Sequence, residues 1–178
     1  MADERGKTLT RGHEGERTRA YRDTRGNWTV GVGHLIVNPI AIMLCENWLS
    51  TAWDHHVRCG TCTICRPHIT KTQMEDLYEK DYSQAKKSLD KILEGAQIGD
   101  AREAALTDMV FNLGLTQILK GFPRMVAAIK SGDWNEAADQ AILKGDKSGP
   151  SDWALQVKEH RAGTIAQMLR TNEWPGGV

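Results

Sequence analysis

The feature that most constrains this chain is a change of hydrophobic period near residue 70. Before it, Trp28, Val30 and Val32 alternate behind the turn signal RGNW, which predicts a short antiparallel hairpin following a first helix. After it, Met74, Leu77, Tyr78, Tyr82 and Ala85 recur at helical spacing, with Thr70 or Thr72 as N-cap and Glu75 three residues after Thr72. That is a long helix, suited to joining two lobes. Leu106, Met109, Val110 and Leu113 mark another helix, closed by Gly114 as its C-cap. A short helix follows from about Pro123 to Lys130, and Asp133 caps another in WNEAADQAIL, whose alanines suit close packing. GDKSGPSD, residues 145 to 152, reads as a loop, and a last helix runs from about Trp153 to Leu169. The expected class is α+β, mostly helical, with a small β-hairpin lobe and a helical lobe.

Composition limits the alternatives. The chain has 178 residues with 40% apolar content, enough for one domain with a real core. Residues 1–178 are read as a single domain, its N-terminal lobe at about 12–70 and its helical lobe at about 71–178. Lys plus Arg and Asp plus Glu balance at 23 each, which argues against nucleic acid held through bulk positive charge. No apolar run approaches the roughly 20 residues of a membrane span, and the first residues lack a signal-peptide core. The expected partners therefore exclude nucleic acid and a membrane span, and synthesis in a cytoplasm is expected.

Residues 14 to 34, EGERTRAYRDTRGNWTVGVGH, follow neither a strand nor a helix pattern cleanly. Glu14 falls where the first helix should end, Asp23 where the hairpin begins, and Thr29 on its returning strand. Two carboxyls arriving from different elements can face each other across a gap. Glycosidic hydrolysis needs such a pair, one protonated to donate to the leaving oxygen and one ionised to handle water. A threonine hydroxyl, both donor and acceptor, can orient that water. Read as residues alone, the same three are also compatible with two surface charges and an ordinary strand position.

The segment resembles the N-terminal signature of the phage-type lysozymes, T-even-like glycoside hydrolases. That signature is a glutamate, eight residues, an aspartate or cysteine, five residues and a threonine, and Glu14, Asp23 and Thr29 match it. Gly15, Arg17, Ala20, Tyr21, Gly26, Gly31, Gly33 and His34 match the surrounding frame. MVFNLG at 109 to 114, GDWNEAA at 132 to 138 and HRAGTIAQMLRTNEW at 160 to 174 resemble further family helices, leaving a gap at about 36 to 69. The resemblance implies a lysozyme-like two-lobed fold. It further implies Glu14 as general acid, Asp23 as the water-activating carboxylate and Thr29 as the residue that positions water, in an inverting reaction. His34 resembles a structural histidine and Arg161 an arginine that pairs with the catalytic glutamate. Leu35 and Phe111 match positions lining the sugar cleft, with core packing an equal reading for both, and Gln140 matches an amide that helps bind an N-acetyl sugar. Thr164 departs from the family where a second cation is often found, and zero net charge departs from a basic enzyme attacking anionic walls.

The stretch HHVRCGTCTICRPH lies outside that resemblance. Cys59, Cys62, Cys65 and His68 are candidate ligands for a structural zinc, with His56 or Cys45 as further donors. A disulfide formed after release and free thiols are the alternatives. No cofactor is expected to be needed for catalysis.

The resulting expectation is an endolysin-type muramidase that cleaves the β-1,4 bond between N-acetylmuramic acid and N-acetylglucosamine in bacterial peptidoglycan. It would act as a monomer in the periplasm or cell wall, released from the host cytoplasm by a holin. The rivals are a lytic transglycosylase, which needs only the acid, and a catalytically silent wall-binding protein.

Overall fold

A helix from Ala2–Glu14 (α1) ends where Gly15 introduces the sheet. The computed structural model describes residues 2–23, 26–36, 69–157 and 159–176. Strands Arg17–Arg22 (β1), Trp28–Gly31 (β2) and His34–Leu35 (β3) form one antiparallel sheet in the order β1-β2-β3. Its register pairs Tyr21 with Thr29 and Arg22 with Trp28, then Thr29 with Leu35 and Val30 with His34. The hairpin expected from sequence is thus a three-stranded sheet, because the chain doubles back again within two residues of Gly31. Nor does the alternation at 28 to 32 divide inside from outside, since Thr29, Val30, Gly31 and Val32 are all buried. Ile69 and Met74 cover the sheet at Gly31, where an added Cβ would meet their side chains at 3.5 and 3.4 Å.

The long helix is Lys71–Leu93 (α2). Its start is a reciprocal capping box. The Thr70 N–H donates to Gln73 Oε1 at 2.8 Å, and the Gln73 N–H donates to Thr70 Oγ1 at 3.1 Å. The cap is therefore Thr70 of the two threonines expected, with Gln73 as partner in place of Glu75. Met74, Leu77, Tyr78, Tyr82, Ala85, Leu89 and Ile92 form its buried stripe, as the spacing predicts. Two compact units share this helix: Glu14–Asp81 is one, and the residues up to His13 together with those from Tyr82 onward are the other. The division falls inside α2 and at the end of α1, so both helices run through it.

In the second unit, Gly6 lets α1 lie close to α2, for an added Cβ would stand 2.3 Å from the Tyr82 hydroxyl. Helix Asp100–Leu113 (α3) is buried without interruption from Ala104 to Val110, which makes it the central helix. Gly114 ends it, donating to the Val110 carbonyl. Around α3 lie Leu115–Gly121 (α4), Pro123–Ser131 (α5), Trp134–Ile142 (α6), Asp152–Gln156 (α7) and Glu159–Thr171 (α8). Asp133 caps α6 as expected, accepting from the Glu136 N–H at 3.0 Å. Ala137, Ala138 and Ala141 of α6 are wholly buried, consistent with close helix packing. Full burial of Met109, Ile165 and Leu169 contributes about 1.5–3 kcal/mol each.

One helix is added here and one sequence expectation is corrected. α4 has no counterpart in the sequence reading, and its single buried residue, Ile118, explains why no apolar period announces it. The last helix, expected as one run from Trp153, is two. Ser151 caps a short α7 that ends at an extended Val157, and no proline or glycine at that point marks the break. Tertiary anchoring separates them. Trp153 turns inward to donate its Nε1–H to Asn112 Oδ1 at 3.1 Å and meets Phe122 edge-on, while α8 docks its own stripe from Ala162 to Leu169.

Candidate active site

Within the unit Glu14–Asp81, the last residue of α1 stands against the β2–β3 turn. Gly33 has φ +72, a conformation that favours glycine, and a Cβ there would lie 3.1 Å from Glu14 Oε2 and 3.3 Å from its carboxyl carbon. The Glu14 carboxyl therefore rests on bare backbone. Glu14 is half-buried, as is Asp23 at the end of β1.

Asp23 is organised by its own hairpin. The Asn27 N–H donates to Asp23 Oδ1 at 2.7 Å, and the Asn27 carboxamide donates to Oδ2 at 3.2 Å. The Asp23 N–H in turn donates to the Asn27 carbonyl at 2.9 Å. That same carbonyl accepts from the Thr29 hydroxyl at 3.4 Å. Thr29 is 4% exposed and faces Tyr21 across the β1–β2 ladder. The Tyr21 hydroxyl is pushed above its ordinary value of 10.0, first by burial and then by the Glu14 carboxylate, with Arg17 opposing and Asp23 adding a smaller push. One phenol thus lies in the field of both carboxylates. The Arg17 guanidinium covers the Tyr21 ring at 4.4 Å.

His34 and Leu35 belong to the same unit. His34 Nδ1 contacts Asp81 Oδ2 at 2.6 Å, a link between β3 and α2. Leu35 is 48% exposed on β3, opposite Thr29. Phe111, Gln140 and Arg161 belong to the other unit. Phe111 is half-buried against the helical core, and Gln140 is buried with its amide donating to Glu136 Oε1 at 2.9 Å.

Arg161 lies on α8 and its Nε–H donates to Asp108 Oδ2 at 3.0 Å. Asp108 is a fully buried carboxylate on α3, and His13 Nδ1 approaches its other oxygen at 3.1 Å. Burial, the largest single influence, pushes the Asp108 carboxyl up. The hydrogen bond from His13, the Arg161 charge and their remaining contacts outweigh it and hold the group below its ordinary value. An ionised carboxylate only accepts, so His13 carries its proton on Nδ1. Sequence reading assigned His13 no role and did not single out Asp108. Their spacing of 95 residues gives no local signal, whereas Asn27, in a turn beside Asp23, was open to detection as a turn-type donor.

Cys45, His56, Cys59, Cys62, Cys65 and His68 lie outside the described residues. Among the described residues, no helix is long and apolar enough to cross a membrane.

Comparison with known proteins places these observations in a family. The phage lysozyme family model matches residues 11–159. "Probable T4-type lysozyme 2" of Dictyostelium discoideum is 32% identical over 140 residues, covering 74% of this chain and 78% of that protein. "Probable T4-type lysozyme 1" of the same organism is 32% identical over 142 residues, covering 75% and 79%. The "Pre-baseplate central spike protein Gp5" of Enterobacteria phage T4 is 27% identical over 169 residues, 92% of this chain but 27% of that protein. With a family match over most of its length and a mostly helical α+β fold around a small sheet, the chain belongs to the phage lysozyme family and is a lysozyme-type glycoside hydrolase.

Proposed function

We propose that this lysozyme hydrolyses the β-1,4 bond between N-acetylmuramic acid and N-acetylglucosamine in peptidoglycan, with Glu14 as general acid, Asp23 as the water-activating carboxylate and Thr29 orienting the water. The observation that supports the assignment is geometric: within one unit, Asn27 links the Asp23 carboxylate to the Thr29 hydroxyl, and the Glu14 carboxyl rests on the backbone of Gly33 in the next turn. Glu14 protonates the glycosidic oxygen as the anomeric C–O bond breaks. Asp23 accepts a proton from water, whose oxygen bonds to the anomeric carbon, leaving one new reducing end and one free hydroxyl. In this reading Leu35, exposed on β3 opposite Thr29, contacts the sugar, and the supporting role of Arg161 rests on family resemblance. Phe111 and Gln140 are drawn into substrate binding by family resemblance, although both pack within the helical unit.

The biological setting proposed is host-cell lysis by a monomer that reaches the wall from the host cytoplasm with the help of a holin. Purified peptidoglycan digested by wild type, Glu14→Gln and Asp23→Asn tests the chemistry. New reducing ends from wild type alone support hydrolysis by this pair. Anhydro-sugar ends that survive loss of Asp23 would instead mark a transglycosylase, and wall binding without products would mark a silent binder.

A further inference from the structure

We propose that Asn27 is the positioning residue of the water-activating half of the site. The inference rests on the reading of Asp23 and Thr29 given above. Three of its polar groups are committed to that pair. The main-chain N–H and the carboxamide N–H hold the two oxygens of Asp23, at 2.7 and 3.2 Å, and the carbonyl accepts from Thr29 at 3.4 Å. The carbonyl also receives the Asp23 N–H at 2.9 Å, so the backbone on both sides of the hairpin is fixed to the same residue. Base and water-orienting hydroxyl thereby share one mount.

The mount is itself braced. The Gly26 N–H donates to the Asp23 carbonyl at 3.0 Å, and Arg22 reaches across to the Gly26 carbonyl while its guanidinium lies 4.6 Å over the Trp28 ring. The carboxamide contact has a specific consequence. A carboxylate turning about its last torsion presents different lone pairs to a water, and a donor at each oxygen removes that freedom. Pre-orientation of this kind acts on the chemical step, because misplacing a reacting group by about 1 Å can cost ~100-fold in rate. Asn27 does not touch the sugar bond in this assignment, and it acts through Asp23.

A turn-forming role and a positioning role rank substitutions differently, and this decides between them. As a turn residue, aspartate is nearly as good as asparagine and better than alanine. As a positioning residue, aspartate is the worst choice, because it removes the donor and sets a second negative charge against Asp23. Histidine keeps an N–H close to where the carboxamide nitrogen stands. The experiment measures kcat, KM and Tm for wild type, Asn27→His, Asn27→Ala and Asn27→Asp on purified peptidoglycan fragments, with Asp23→Asn as control.

The expected result is a fall in kcat of roughly tenfold for Ala, the low end for one charge-assisted hydrogen bond. A fall of about 100-fold is expected for Asp, and one within about threefold for His, with KM within about twofold throughout. The order Asp equal to or better than Ala, or losses confined to Tm or KM, overturns the proposal while leaving the Asp23 assignment standing. If Asp23→Asn keeps wild-type kcat, the Asp23 assignment fails and the Asn27 inference falls with it.

Discussion

Nδ1 of His34 stands 2.6 Å from Oδ2 of Asp81 and ties the two-residue strand β3 to the middle of α2. Both side chains are only about a quarter exposed, at 28% and 27%, so water screens the pair incompletely. A strand this short has little ladder of its own, and the His34–Asp81 contact holds it in place. A double-mutant cycle with His34→Asn and Asp81→Asn is expected to give a coupling of about 1–2 kcal/mol. Denaturant midpoints check it, and additive single-variant effects would remove the pair from any anchoring role.

Asp108 is expected to dominate part of the acid response. Its folded-state pKa lies below the ordinary 3.8, so the stability it contributes is present above that value and is lost as pH falls through the folded value. The wild type should lose stability on acidification below about pH 4, and Asp108→Asn should flatten that part of the curve. At neutral pH the same variant should be less stable by about 3–5 kcal/mol, because it removes the carboxylate of a buried ion pair with Arg161. Urea titrations across the acid range decide the matter.

Gly33→Ala and Gly95→Ala should separate strain from site damage. Both glycines have positive φ, +72 and +88, so alanine strains each by about 1–2 kcal/mol. Only at Gly33 does the added methyl also meet a functional group, Glu14 Oε2 at 3.1 Å, whereas nothing lies within 4 Å at Gly95. Gly33→Ala should lower kcat by ~100-fold. Gly95→Ala should lower Tm with kcat per folded molecule within about threefold. Active-site titration against the folded fraction checks both.

Thr70→Ala should cost about 1 kcal/mol, since it removes the oxygen that satisfies the Gln73 N–H at the start of α2. Gln73→Ala should cost less than Thr70→Ala, because the Thr70 N–H it leaves is on an exposed residue that water can reach. Thermal melts by circular dichroism measure both, and an equal or reversed order would count against the capping box as the source of the stability.

Much of the helical unit was legible in sequence because its signals are local. The stripe of α2, the Gly114 stop and the Asp133 cap each depend on residues within one or two turns of each other. The break between α7 and α8 was not legible, because it depends on Trp153 reaching Asn112 across 41 residues. The extra strand β3 was missed for a related reason. A two-residue strand has no periodicity, and it is recognised only by its partners Thr29 and Val30. In the candidate site, Glu14, Asp23 and Thr29 lie on the helix end, hairpin and returning strand expected, while the contacts of Asn27 with Asp23 and of Gly33 with Glu14 emerged only from distances.

By itself the sequence determined the class of fold, the caps at Thr70, Gly114 and Asp133, and the segment in which acid, base and hydroxyl types are gathered. These follow from the side-chain period and from hydrogen bonds between near neighbours, which one stretch of chain specifies alone. Tertiary structure decided which polar groups are partnered in the interior. Asp108 is an ionised buried carboxylate because His13 and Arg161 arrive from α1 and α8 at 3.1 and 3.0 Å. Without those contacts, burial alone would favour its neutral form, and no property of the sequence around Asp108 says which of the two it will be.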